Sequence, residues 1–61
     1  FSDREFEIIQ LVGESLSSEQ IAEKLYLSPH TVNTHRRNIL KKAGKANIYD
    51  LIYALKEQGL M

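Results

Sequence analysis

Apolar side chains recur along this chain at helical spacings, and no stretch alternates with the period of two that a half-buried strand needs. The first set is Phe6, Ile8, Ile9, Leu11 and Val12. Ahead of it, Ser2 and Glu5 stand at the capping-box spacing, in which two side chains satisfy two orphan N–H groups. Gly13 then reads as the stop of this helix. Ser17 and Gln20 repeat the box before Ile21, Ala22 and Leu25, and Leu16 and Ile21 flank that cap at hydrophobic-staple spacing. The second helix ends in Tyr26-Leu27-Ser28.

The third helix has the clearest start. Ser28 is its N-cap and Pro29 takes the first position, where a missing N–H costs nothing. It can run to Ala43, with Gly44 beyond it and Lys41 and Lys42 in its last turn, where cations suit the helix dipole. A fourth helix follows Asn47, carries Ile48, Leu51, Ile52 and Leu55 on one face and stops near Gly59. The expected fold is all-α, four helices in one domain over residues 1–61. Only about three residues separate the second and third helices, so the pair must cross as a helix-turn-helix.

Composition narrows the chemistry. There is no cysteine, hence no disulfide or thiolate site, which fits a reducing compartment, and the cytoplasm is the expected location. His30 and His35 are five apart, about 140° around a helix, so no metal site is expected, and no cofactor. No run approaches the ~20 apolar residues of a membrane span, and nothing reads as a signal peptide. The first residue is Phe1 rather than Met, so the chain reads as part of a longer protein.

A net charge of zero argues against a nucleic-acid binder until its distribution is read. Residues 1–28 set Arg4 and Lys24 against Asp3, Glu5, Glu7, Glu14, Glu19 and Glu23, a net of −4. Residues 29–45 hold Arg36, Arg37, Lys41, Lys42 and Lys45 and no acid, a net of +5. The basic block is the second helix of the crossed pair.

On a wheel of that helix, Val32, Ile39 and Ala43 point to the core, flanked by Leu40 and His35. Arg36 falls about 40° from the core direction, so its stem should pack while its guanidinium reaches outward. The opposite face holds His30, Asn33, Thr34, Arg37, Asn38 and Lys41, all able to donate hydrogen bonds. Such a face suits a groove with base edges at the centre and phosphates on both walls. On such a groove, His30, Arg36, Asn38 and Lys41 would be the phosphate contacts. His35 reads as structural, and Lys42 and Lys45 are equally well explained as solvated charges.

The run from Ser28 to Lys42, Ser-Pro-His-Thr-Val-Asn-Thr-His-Arg-Arg-Asn-Ile-Leu-Lys-Lys, closely resembles the recognition helix of LuxR/FixJ/NarL-type bacterial transcription regulators. Upstream, Phe1-Ser2-Asp3-Arg4-Glu5-Phe6-Glu7-Ile8-Ile9 and Leu16-Ser17-Ser18-Glu19-Gln20-Ile21-Ala22 are similar to that family's opening and second-helix motifs. Downstream, Ala46-Asn47-Ile48 and Glu57-Gln58-Gly59-Leu60-Met61 complete the match, which covers essentially the whole chain. The family often has glycine where Ser15 and Tyr26 stand. Tyr26 must therefore sit in a strained backbone, or the turn differs.

The resemblance implies sequence-specific binding of double-stranded DNA for transcription regulation, as in response regulators, with helix 29–43 in the major groove. It gives base contacts to Asn33, Thr34 and Arg37. It also implies a weak homodimer through the last helix, where Tyr49 and Tyr53 form a stripe beside the buried face; edge packing explains that stripe equally. RNA polymerase is a further partner it admits. Two other classes stay open: an interaction module that keeps the fold without binding DNA, and a promoter-reading domain of a sigma factor. No cysteine nucleophile, metal cluster or glycine-rich phosphate loop points to an enzyme, and every serine is explained by a cap or a loop.

Overall fold

The computed structural model describes all 61 residues as four helices with no strand: α1 (Asp3–Gly13), α2 (Ser18–Leu25), α3 (Pro29–Ala43) and α4 (Ile48–Glu57). Each begins at its cap. The hydroxyl of Ser2 accepts from the Glu5 N–H at 3.1 Å, and the Glu5 carboxylate accepts from the Ser2 N–H at 2.9 Å. Ser17 and Gln20 repeat this reciprocity at 3.2 and 2.8 Å. Ser28 Oγ accepts from the Thr31 N–H at 3.1 Å, and Asn47 Oδ1 from the Asp50 N–H at 3.0 Å.

All four helices end in one way. A residue in the left-handed region follows, Ser15 (φ 70°), Tyr26 (φ 58°), Gly44 (φ 67°) or Gly59 (φ 73°). The next N–H then folds back five residues: Leu16 to Leu11 O, Leu27 to Ala22 O, Lys45 to Leu40 O and Leu60 to Leu55 O. This is the Schellman closure, and it satisfies carbonyls that the helix leaves orphaned.

Gly13 is the last residue of α1, where the sequence places the stop, but it is not the left-handed residue that closes the helix. α1 runs through Gly13, and the left-handed turn comes two residues later, at Ser15. Gly13 is used for space instead. A Cβ added there would lie 3.3 Å from Met61 Cε, tighter than ordinary contact, so the Met61 side chain would have to give by a few tenths of an ångström. Tyr26 does occupy a strained position: a non-glycine residue at φ 58° whose side chain is 96% exposed. The left-handed backbone costs about 1–2 kcal/mol, and contacts of the Tyr26 ring offset little of it. The turn is held by Leu27, which packs partly buried against the core.

Twelve side chains from all four helices form one core. Ile8, Ile9, Ile21, Val32 and Ile39 are fully excluded from solvent, and Ile48, Leu51, Ile52 and Leu55 close it from α4. Leu25 and Ala43 are only partly buried, at its margin. α1 and α3 each pack against all three other helices, while α2 and α4 do not meet. α3 is thus backed by the whole domain along one face and bare along the other.

Candidate nucleic-acid interface

The turn Tyr26-Leu27-Ser28 swings the chain from α2 into α3, and the Ser28 cap and Pro29 fix where α3 starts. Val32 and Ile39 anchor it, each with no exposed surface. His35, Arg36, Leu40 and Ala43 are half-buried along its flanks. His30, Asn33, Thr34, Arg37, Asn38 and Lys41 are all exposed, so the face drawn from the sequence is the face the fold leaves open. The half-burial of His35 agrees with its structural reading.

Neighbours modify what this face presents. Arg36 Nη1 donates to Ser18 Oγ at 2.9 Å, so its guanidinium reaches the start of α2 and spends one of five donors there. The Ser18 hydroxyl in turn donates to Asn33 Oδ1 at 2.8 Å. Thr34 Oγ1 donates to the His30 carbonyl at 3.0 Å, so its only proton is used within α3 and its methyl and lone pairs face outward. Arg37, Lys41 and Lys45 make no ion pair.

Lys42 differs, and here the structure adds what sequence reasoning missed. Its ammonium donates to Glu5 Oε1 at 2.7 Å, tying the last turn of α3 to the first turn of α1. Glu5 is 5% exposed and also caps α1, so one carboxylate serves two elements. The bond from Lys42, and then the Ser2 N–H, hold the Glu5 carboxyl down from 4.5 to about 2, against the opposing effect of burial. Lys42 is therefore a tie within the fold and not a free cation. The clue available in the sequence was a cap glutamate followed at once by an apolar run.

Because the folded Glu5 pKa lies below its ordinary value, the pair stabilises the native state above pH 4.5, and that contribution is lost as the pH falls toward 2. The variant Glu5→Gln is expected to be less stable than wild type at pH 7, with the gap closing across this window. Thermal melts of both proteins from pH 7 to 2 measure it, and a constant gap would show that the ionised pair is not its source.

On α4, Tyr49 and Tyr53 are 64% and 68% exposed, so most of each ring stands clear of the core. They lie one turn apart, outside the buried stripe of Ile48, Leu51, Ile52 and Leu55. The two surface depressions, of about 670 and 350 Å³, lie along α1 and beside the C-terminus, and no α3 residue lines either. No helix is long and apolar enough to cross a membrane.

Comparison with known proteins agrees with this geometry. The family model for bacterial regulatory proteins of the luxR family matches residues 1–55. The chain is 40% identical over 58 residues to oxygen regulatory protein NreC of Staphylococcus aureus, strains JH9 and Mu3 among others. That alignment covers 93% of this chain but 27% of NreC, so the chain spans about a quarter of such relatives. Among solved structures, response regulator ChrA of a heme-sensing two-component system superposes with a TM-score of 0.87 at 42% identity, over 98% of this chain and 30% of ChrA.

Proposed function

Because this chain belongs to the luxR family of bacterial regulatory proteins, we propose that residues 1–61 are the DNA-reading domain of a cytoplasmic transcription regulator, binding double-stranded DNA sequence-specifically with α3 in the major groove. The family is one of regulators and not of enzymes. The observation that carries the reading is the outer face of α3: six exposed hydrogen-bonding side chains, no acid, and cations without ion-pair partners. A merely solvated face would mix both signs of charge.

Asn33, Thr34 and Arg37 lie on this face at the positions that the family resemblance gives to base contacts, and are the base contacts. Arg37 can fork onto guanine O6 and N7. His30, Arg36, Asn38 and Lys41 flank them and take phosphates, which position the helix without reading sequence. The exposed Tyr49 and Tyr53 form a weak homodimer contact, because an apolar ring with a polar tip suits an interface. Two-fold pairing would bring two α3 helices to half-sites about one turn of DNA apart. RNA polymerase is the further partner expected of a regulator bound at a promoter.

The test separates readers from clamps. Arg37→Ala should lose about 1–3 kcal/mol of discrimination at one base position and leave the other positions unchanged. Lys41→Ala should weaken every sequence alike. Both are measured on a panel of single-base variants of a selected site, and uniform loss in both would remove Arg37 from the base contacts.

A further inference from the structure

Ser18 has no role that its own position in the chain supplies: Ser17 caps α2, and Ser18 only begins it. It is nevertheless the α2 side chain that joins α3 by hydrogen bonds, at both Arg36 and Asn33. Arginine has donors and no acceptor, so Arg36 gives a proton to Ser18 Oγ, at 2.9 Å. The hydroxyl passes its own proton on to Asn33 Oδ1, at 2.8 Å. One hydroxyl thus stands between a side chain assigned to phosphate and one assigned to a base. Ser18 and Arg36 are half-buried, whereas Asn33 is exposed, so the chain of bonds runs from the better-held groups to the freest one. Asn33 Oδ1 keeps a second lone pair and Nδ2 keeps both protons, so the amide can still accept from a base or donate to it. The bond sets where the amide lies, not which base it reads.

An exposed amide loses rotamer freedom when it settles on a base, and one already held in place loses less. Arg36 supplies the hold. A charged donor polarises the hydroxyl it bonds and strengthens the bond that this hydroxyl donates in turn. Arg36 keeps four further N–H donors for a phosphate. With a phosphate on those donors, the guanidinium is fixed from both sides, and the hydroxyl and amide beyond it are fixed too. We infer that Ser18 is a positioning residue that couples the phosphate contact of Arg36 to the base contact of Asn33. A seated DNA backbone then sharpens the reading of one base pair. This rests on the reading of Arg36 and Asn33 as phosphate and base contacts. The precision of α3 is thereby set in part from α2, by a side chain that need not touch the DNA.

A site would be selected from a random duplex pool with the wild-type chain. Single-base changes in it would then locate the base pair whose preference Asn33→Ala loses. The readout is discrimination at that pair, the ratio of affinities for the selected and the changed duplex. Arg36→Met keeps an aliphatic stem without donors, and Ser18→Ala leaves the Ser17 cap intact; circular dichroism checks that both fold. Each is expected to lower the discrimination about 2- to 12-fold, the worth of one net hydrogen bond. Arg36→Met also weakens every duplex, through its lost phosphate. Ser18→Thr is expected to keep the wild-type ratio, and other base pairs to keep theirs. A merely structural role would weaken all duplexes together and leave the ratio unmoved. Asn33 and Arg36 are also neighbours three apart on α3, so the combined Ser18→Ala and Arg36→Met chain tests whether their coupling runs through Ser18. Its ratio is expected to fall no further than in either single variant. An unmoved ratio in either single variant, or losses that add when they are combined, would overturn the coupling and leave DNA binding standing. Preferences untouched by Asn33→Ala at every pair would overturn the base-reading role of Asn33, and the coupling with it. A wild-type chain that selects no sequence would overturn the proposed function itself.

Discussion

Raising the salt from 50 to 200 mM is expected to weaken DNA binding by this domain about 150-fold. The figure follows from the cations the fold leaves free. Five stand between residues 29 and 45, but Lys42 is bound to the buried Glu5 carboxylate. That leaves Arg36, Arg37, Lys41 and Lys45 to displace counterions, and Arg36 keeps its charge despite donating to the neutral Ser18 hydroxyl. Arg37 in the groove displaces counterions as the other three do at phosphates, so four charges at roughly −0.9 each give a log–log slope near −3.6 per domain. Counting Lys42 as well would give about −4.5 and a loss near 500-fold, so the slope reports on the fold as well as on the ligand. Lys41→Gln should flatten it by about 0.9, whereas Lys42→Gln should leave it unchanged. Fluorescence-anisotropy titrations at several salt concentrations measure both, and affinity indifferent to salt would remove DNA as the ligand.

The second large effect is on the fold. Ile39→Ala should cost about 2–5 kcal/mol, as a fully buried side chain is replaced by a partly filled void. A single core this small supplies rarely more than about 3–5 kcal/mol in total. Ile39 has no exposed surface, and it lies on α3, which packs on every other helix. The variant is therefore expected to lose most of its cooperative urea transition at 37 °C. Asn38→Ala, one residue away on the open face, should stay within about 0.5 kcal/mol of wild type. The pair makes the contrast sharp, because adjacent residues differ only in which way the helix turns them. An Ile39→Ala midpoint close to wild type would contradict the packing of α3 described above.

The packing explains how α3 stays in place with one face open. The open face is held in place because the opposite side of α3 packs against all three other helices. Two side-chain ties reinforce this, Lys42 to Glu5 at one end of α3 and Arg36 with Asn33 to Ser18 toward the other.

The four helices, their N-terminal boundaries and the two faces of α3 were legible in the order of the residues. These depend on bonds between residues three or four apart and on angular position around one axis, which spacing alone settles. Ser2, Ser17, Ser28 and Asn47 each cap the helix expected of them. Helix ends were less legible, because a left-handed residue is expected to be glycine. Gly44 and Gly59 obey that rule, but Ser15 and Tyr26 do not, and Gly13 is spent on packing against Met61. The tertiary structure alone decided the long-range pairings. Glu5 and Lys42 are 37 residues apart, and Ser18 meets Asn33 and Arg36 across 15 and 18. Such contacts depend on how α1 and α2 cross α3, which no local spacing encodes. Their consequence reaches the interface, since the crossing decides which cations stay free.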